Sequence, residues 1–192
     1  MLLLFGYLSG FFSLIEYIPY VKDILDRKVK PHRATFFIWS VLGGIAFFSQ
    51  LAKGATNSLW LPGIETILGL IVFALSFKYG IGGYSKRDRF ALIIAFLGLV
   101  VWYFTKEAAL ALYITIFIDA VGSYLTIHKA YHMPESETML FWILSSISGI
   151  FAMLAVGKLD IILLSYPAYI IFANLSVVLA LHRGKRKKAV SR

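Results

Sequence analysis

Two stretches of sequence decide the fold: PHRATFFIWSVLGGIAFFSQLAKG at residues 31–54 and PESETMLFWILSSISGIFAMLAVG at residues 134–157. Each begins with a proline and a short polar segment and continues as an apolar run long enough to cross a bilayer. A gapless shift of 103 positions superposes the two and pairs a proline, a tryptophan and a terminal glycine: Pro31 with Pro134, Trp39 with Trp142, and Gly54 with Gly157. Because apolar helices share Leu and Ala by composition alone, these pairs are the informative matches, and they indicate an internal repeat.

The whole chain has the composition of a membrane protein. Of its 192 residues, 59% are hydrophobic and only 15% are charged, which is outside the usual range of soluble domains. A helix needs roughly 20 apolar residues to cross a hydrocarbon core of about 30 Å. Runs of this kind predict seven transmembrane helices, near residues 2–25, 34–52, 59–78, 89–104, 108–127, 138–156 and 161–181. The expected fold class is an all-α membrane protein with residues 1–192 in a single membrane domain.

The same shift predicts how the helices are organised. It carries the first and second helices onto the fifth and sixth and, with weaker similarity, the third onto the seventh, so the fourth has no mate. Repeat one then covers residues 2–80, a linker helix residues 88–105, repeat two residues 107–182, and a basic tail residues 183–192. Two parallel three-helix bundles of this kind are related by an axis along the membrane normal, which in transporters places the solute path between the halves.

Lysine and arginine residues lie almost wholly on one side of this topology. Sixteen fall in the loops and tail of one side and three on the other. Because basic loops resist translocation, the C-terminus is expected in the cytoplasm and the N-terminus outside, with a plasma membrane favoured by the short chain. The net charge of +9 is therefore assigned to topology, and nucleic acid is not an expected partner. No catalytic or metal signature is present, so neither an enzyme nor a cofactor is predicted.

The segment Tyr17-Ile18-Pro19-Tyr20, followed by a basic loop at residues 22–33 and a helix around residues 36–44, resembles the PQ-loop superfamily, which includes the SWEET sugar transporters. That family carries a Pro-Gln pair near the cytoplasmic end of its first helix. Here Pro19 matches and Tyr20 takes the place of the glutamine, while Gly122 and Ser123 occupy the positions in the second unit. The resemblance implies a three plus one plus three plan and transport of a small solute. PnuC-type vitamin precursor transporters share that plan and stay an alternative.

Acidic residues inside membrane helices are candidates for function, since an ionised carboxylate at the bilayer centre is costly. Glu16 and Asp119 are repeat mates at the same 103-residue offset, and Glu65 lies in the third helix. They are predicted to contact a solute or a coupling ion, with proton coupling as one hypothesis. The alternative is that each acid bonds a neighbouring hydroxyl and fixes packing. Asn174, which could match the asparagine of SWEET-like sugar sites, is a further solute candidate, or it joins helices by a hydrogen bond.

Prolines and tryptophans supply candidates for motion. Pro19 and Pro167 are predicted hinges, because a proline within a membrane helix frees a carbonyl and can create a kink. Trp39 and Trp142 are predicted gates, or alternatively interfacial anchors like most of the tyrosines. The sequence thus predicts a small-solute transporter that works by alternating access, with the lipid bilayer and a small molecule as partners. A non-transporting membrane receptor or scaffold of the same architecture is the alternative.

Overall fold

The computed structural model describes residues 1–82, 86–105 and 107–190, and these ranges contain helices and no strand. The expectation of an all-α fold is confirmed. Short 3₁₀ turns at Asn57–Leu59 and Pro134–Ser136 precede the third and sixth α-helices. Within the described ranges the α-helices are α1 Leu2–Leu25, α2 Arg33–Ala52, α3 Trp60–Tyr79, α4 Lys86–Thr105, α5 Ala108–His132, α6 Met139–Ala155 and α7 Ile161–Val190.

Five of the described helices are long and apolar enough to cross a membrane, namely α1, α2, α3 with its preceding turn, α5 and α7. Helix α6 is also apolar but has 17 residues. The distribution of side chains differs from the usual soluble pattern, because many large apolar groups face outward and the buried residues include serines and Glu16. Phe11, Ile67, Phe117 and Phe172 are examples of exposed rings and aliphatic chains that lipid would cover. These features suit a protein embedded in a membrane.

Two glycines that the 103-residue shift pairs adopt the same unusual backbone conformation. Gly54 and Gly157 have φ angles of 83° and 71°, and each stands two residues beyond the end of its helix, at Ala52 and Ala155. A left-handed residue just past a helix end is most easily supplied by glycine, which has no Cβ to collide with the following carbonyl. The matching glycines in the sequence therefore have a common physical cause at the ends of α2 and α6.

Helices α5 and α7 both extend beyond the ends predicted from hydropathy. Helix α5 continues to His132, and α7 continues through residues 183–190, the segment that the sequence assigned to a basic tail; residues 191–192 lie outside the described part. The two extensions touch at Gly184, where an added Cβ would collide with the backbone of Tyr131. Basic residues near a helix C-terminus also interact favourably with the helix dipole, so polarity here does not end the helix.

We call α1, α2 and α3 the first group of helices, and α5, α6 and α7 the second group. Helix α3 packs against α1 and α2, and α7 packs in the same way against α5 and α6. The groups meet where α1 packs against α6 and α2 against α5, whereas α4 contacts α2 and α5. We call the end of the bundle at which α1, α3, α5 and α7 finish the basic end. An aromatic-rich cluster fills the interior near the basic end, and a smaller apolar cluster fills it near the opposite end.

Candidate functional site

A central cavity lies between the two apolar clusters and is lined by residues of α1, α2, α3, α5, α6 and α7. About 70 Å³ of it is open to the centres of water-sized spheres, and one water needs roughly 10–15 Å³ by this measure. The cavity can therefore hold several waters or a small solute. All four residues predicted to contact a solute or an ion line it: Glu16, Glu65, Asp119 and Asn174. Their role in binding stays a prediction.

Glu16, in α1, is the most isolated acid of the site. Its side chain is 0% exposed, and neither carboxylate oxygen has a hydrogen-bond partner among the described residues. The hydroxyl of Ser145 lies near this carboxylate but donates to Glu65 instead. Buried charges in proteins are normally paired, because an uncompensated ion loses its hydration without replacement. For Glu16 both the contact with a solute or ion and the packing alternative, in which the acid bonds a neighbouring hydroxyl, stay predictions.

Asp119, which the 103-residue shift pairs with Glu16, is in the opposite situation. Its Oδ2 accepts a short hydrogen bond from the hydroxyl of Tyr169 and a long one of 3.5 Å from Ser123. The hydroxyls of Ser123 and Tyr169 are themselves 3.0 Å apart, so the three side chains form one network between α5 and α7. For Asp119 the packing interpretation accounts for the contacts that are seen, although the side chain also lines the cavity.

A polar chain links α3 to α7 through α6. Ser145 donates a hydrogen bond to Oε1 of Glu65 over 3.3 Å and accepts one from the amide nitrogen of Asn174 over 2.7 Å. A serine hydroxyl has one proton to donate and lone pairs to accept, so both bonds can exist together. Glu65 is also within electrostatic range of both Glu16 and Asp119. Hydrogen bonds therefore connect Glu65 to Asn174, whereas Glu16 and Asp119 interact with Glu65 only through their charges.

The two tryptophans predicted as gates meet inside the protein. Trp39 and Trp142 pack edge to face with ring centroids 6.1 Å apart, and both line the cavity. Trp142 is 6% exposed, and its Nε1 has no acceptor among the described residues. The alternative of an interfacial anchor is wrong for Trp142, because an anchor must reach the lipid headgroups. The gate role stays a prediction.

The tyrosines divide between the interior and the surface. Tyr17, Tyr20 and Tyr166 are buried, so the expectation that they belong to an interfacial belt is wrong. Tyr124, at 64% exposed, fits that expectation. For Tyr17 and Tyr166, which line the cavity, the cause is that a tyrosine can satisfy its hydroxyl at a polar cavity as well as at a headgroup, and hydropathy does not separate these two places.

The predicted hinges lie within continuous helices. Pro19 is inside α1 and Pro167 is inside α7, and neither interrupts its helix in this conformation. Each proline removes the N–H that would bond the carbonyl four residues earlier, on Ile15 and Leu163. Pro19 stands among the aromatic side chains at the basic end, and Pro167 follows the cavity residue Tyr166. Bending at either position stays a prediction.

Sequence reasoning missed the hydroxyl partners of the acids. Ser145 stands three residues after Trp142, and helical periodicity could have placed both on one face toward the cavity. Tyr169 lies 50 residues from Asp119, and no local pattern connects them. Within the described ranges no group of three or more His, Cys, Asp or Glu side chains could hold a metal ion. Comparison of the chain with protein-family models, curated proteins and solved structures gives no match.

Proposed function

We propose that this protein is a small-solute transporter that works by alternating access around the central cavity. One observation carries the proposal: three acids and an asparagine, from four different helices, converge on one cavity between two groups of three helices. Ionisable residues within membrane helices usually face such a cavity and mark a solute or proton path. Sites at the interface of structural repeats are the common arrangement in secondary transporters.

The pattern of helix neighbours supports a three plus one plus three plan with seven membrane spans. If α1, α2 and α3 correspond to α5, α6 and α7, then the interface between α1 and α6 corresponds to the interface between α5 and α2. Both interfaces are present. The same correspondence relates α3 to α7, because α3 packs against the other two helices of the first group and α7 against those of the second. Helix α4 contacts α2 and α5, as expected of a linker. This plan is what the resemblance to the PQ-loop superfamily implies.

Contacts between α1 and α6 lie on both sides of the cavity, and we propose them as its two closures. At the basic end, Tyr17 and Tyr20 of α1 contact Phe141 of α6, with ring centroids 5.1 Å and 4.8 Å apart. Toward the opposite end, Ser13 of α1 and Ser148 of α6 are hydrogen-bonded at 2.7 Å. Alternating access requires each closure to open while the other holds, so we propose that α1 rocks against α6. Pro19 is suitably placed in α1 to bend beside the aromatic closure.

The distribution of charge supports an orientation with the basic end and the C-terminus in the cytoplasm, in a plasma membrane. Glu16 supports coupling of the flux to protons, because its carboxylate has no hydrogen-bond partner in the described part of the chain and lines the cavity. A proton that neutralises such a group on one side of the membrane can be released on the other. The hydrogen bonds that Oδ2 of Asp119 accepts favour the alternative of a receptor or scaffold, in which the acids only fix packing.

The test is uptake into proteoliposomes of a panel of sugars, cystine, basic amino acids and nicotinamide riboside, with and without a proton gradient. The variant Glu16→Gln keeps the side-chain shape and removes the charge, and Glu107→Gln is the matched control at an exposed position outside the cavity. We expect gradient-dependent flux that Glu16→Gln abolishes and Glu107→Gln preserves. Absence of flux for every solute from well-folded protein would favour the receptor or scaffold.

A further inference from the structure

We infer that the cavity binds a small organic cation that also carries a hydrogen-bond acceptor, such as a hydroxylated alkylammonium ion. The inference of binding depends only on the cavity, and the statement that this cation is the transported solute rests on the proposed function. Three features of the lining point to such a ligand: its charge, an unpaired carboxylate, and aromatic walls with one unpaired donor.

The lining is acidic in a chain that is otherwise strongly basic. Glu16, Glu65 and Asp119 line the cavity, whereas no Lys, Arg or His is among its described lining residues. The chain as a whole has a net charge of +9. Charges of one sign within low-dielectric walls attract the opposite charge far more strongly than they would in water. The cavity therefore favours cations over anions. It also favours cations over zwitterions, because the negative group of a zwitterion would enter the acidic cavity together with the positive group.

Glu16 provides the position at which the cation would bind. Its carboxylate is fully buried, has no hydrogen-bond partner among the described residues, and borders the cavity. Asp119 and Glu65 already accept hydrogen bonds from Tyr169 and Ser145, so Glu16 has the greatest unused capacity to accept. An ammonium group beside Glu16 would supply the counter-charge that a buried carboxylate requires.

The walls of the cavity distinguish an organic cation from a metal ion. Tyr17, Trp39, Phe141, Trp142 and Tyr166 present aromatic rings to it. Rings within about 6 Å of an ammonium group attract it through their quadrupoles, and tryptophan does so best. Metal ions instead require several oxygen or nitrogen ligands around one point, and the described residues include no such group. Aromatic rings are therefore the expected surroundings of an alkylammonium ion.

Trp142 adds a requirement for an acceptor on the same ligand. Its Nε1 is a buried donor without an acceptor in the described part of the chain, and leaving such a group unpaired is unfavourable. A hydroxyl oxygen on the cation would satisfy it. A proton on Glu16 would neutralise the carboxylate, but it would leave the Trp142 donor unpaired and the cavity without a solute. About 70 Å³ of the cavity is open to the centres of water-sized spheres, so only a small ligand fits.

The test uses purified protein in lipid nanodiscs and pairs of probes of similar size and shape, one with a positive charge and one neutral. Choline is compared with its neutral isostere 3,3-dimethylbutan-1-ol, and benzylammonium with benzyl alcohol, by equilibrium binding and by the ligand-dependent rise in Tm. We expect each cation to bind at least tenfold more tightly than its neutral counterpart. Glu16→Gln should remove this preference, and the exposed control Glu107→Gln should retain it. Should Glu16→Gln fail to fold, Glu16→Asp keeps the charge and is expected to keep the preference with weaker binding.

The Trp142→Phe variant tests the acceptor separately, because it keeps an aromatic ring and removes the N–H donor. It should weaken choline binding several-fold and tetramethylammonium binding less, because tetramethylammonium has no hydroxyl and loses only the stronger attraction of the tryptophan ring. Equal binding of cations and neutral isosteres, or a preference that survives Glu16→Gln, would overturn the inference. Flux measurements distinguish a failure of the cation-binding inference from a failure of the proposed transport function. Cation binding without flux would overturn the transporter alone, whereas sugar flux without cation binding would overturn the cation site alone.

Discussion

Glu16 and Asp119, which are 103 residues apart and pair in the predicted repeat, line one cavity, yet only Asp119 accepts hydrogen bonds from described residues, from Tyr169 and Ser123. Two chemically similar side chains therefore have different environments at one cavity. Asymmetry of this kind allows one acid to hold the helices together while the other stays available to a ligand. The two acids should accordingly respond differently to loss of charge.

We predict that Glu16→Gln lowers transport by at least tenfold with little loss of stability, because the charge it removes is uncompensated in the empty protein. Asp119→Asn should instead lower stability, since a hydrogen bond to a charged group contributes about 1.5–3 kcal/mol. Thermal unfolding in nanodiscs and flux in proteoliposomes, measured on the same preparations, would separate the two effects. Asp26→Asn at the exposed end of α1 is the control for Asp119→Asn. Equal destabilisation by Glu16→Gln and Asp119→Asn would contradict this assignment.

The approximate positions of the helices, and the three acids that line the cavity, could be predicted from the sequence, because both predictions depend on the cost of placing polar groups in hydrocarbon. The sequence did not predict which face of each helix is turned toward the protein interior and which toward lipid. In a soluble protein, polarity separates the surface from the core, but lipid and protein interior are both apolar, so Tyr17, Tyr20 and Tyr166 could not be distinguished from belt residues. The Asp119–Tyr169 contact depends on how α5 meets α7, and that long-range packing leaves no local pattern.

We predict that Ser145→Ala destabilises the protein by about 1–3 kcal/mol, because it leaves the buried amide of Asn174 without its acceptor and Glu65 without a donor. Ser176→Ala is the matched control on α7, since that exposed hydroxyl bonds only to the carbonyl of Phe172 in its own helix. A double-mutant cycle with Asn174→Ala, followed by thermal unfolding, measures the coupling directly. Additive losses for Ser145 and Asn174 would show that the polar chain is not an energetic unit.

We predict that the N-terminus of α7 depends on pH through Asp160. Its Oδ1 accepts hydrogen bonds from the backbone N–H groups of Ile162 and Leu163, at 3.0 Å and 3.1 Å. The Leu163 bond first, and then the side chain of Lys158, lower the pKa of Asp160 below its ordinary value. A lowered pKa in the folded state means that the stabilisation is complete above the unfolded pKa of about 3.9 and is lost as the pH falls through the folded value.

The measurement is the difference in Tm between wild type and Asp160→Ala, followed from pH 6 downward. We expect a constant difference above about pH 4 that shrinks below it, because protonation removes the charge that the helix N-terminus stabilises. Asp160→Asn keeps a capping oxygen without a titrating group, so its Tm relative to Asp160→Ala should change much less with pH. If the difference in Tm between wild type and Asp160→Ala stays constant down to pH 3, the charge of Asp160 does not stabilise the N-terminus of α7.

The contact between Ser13 and Ser148 gives a direct test of rocking between α1 and α6. Their hydroxyl oxygens are 2.7 Å apart, and Ser148 donates to the carbonyl of Ser9 over 2.8 Å, so the two backbones are close. The chain contains no cysteine, which makes an introduced pair unambiguous. We predict that Ser13→Cys combined with Ser148→Cys forms a disulfide on oxidation and blocks transport, because this end of the cavity can then no longer open. Reduction should restore flux, and either single substitution should transport under both conditions. A disulfide that forms fully without affecting flux would mean that α1 and α6 do not separate at this end during transport.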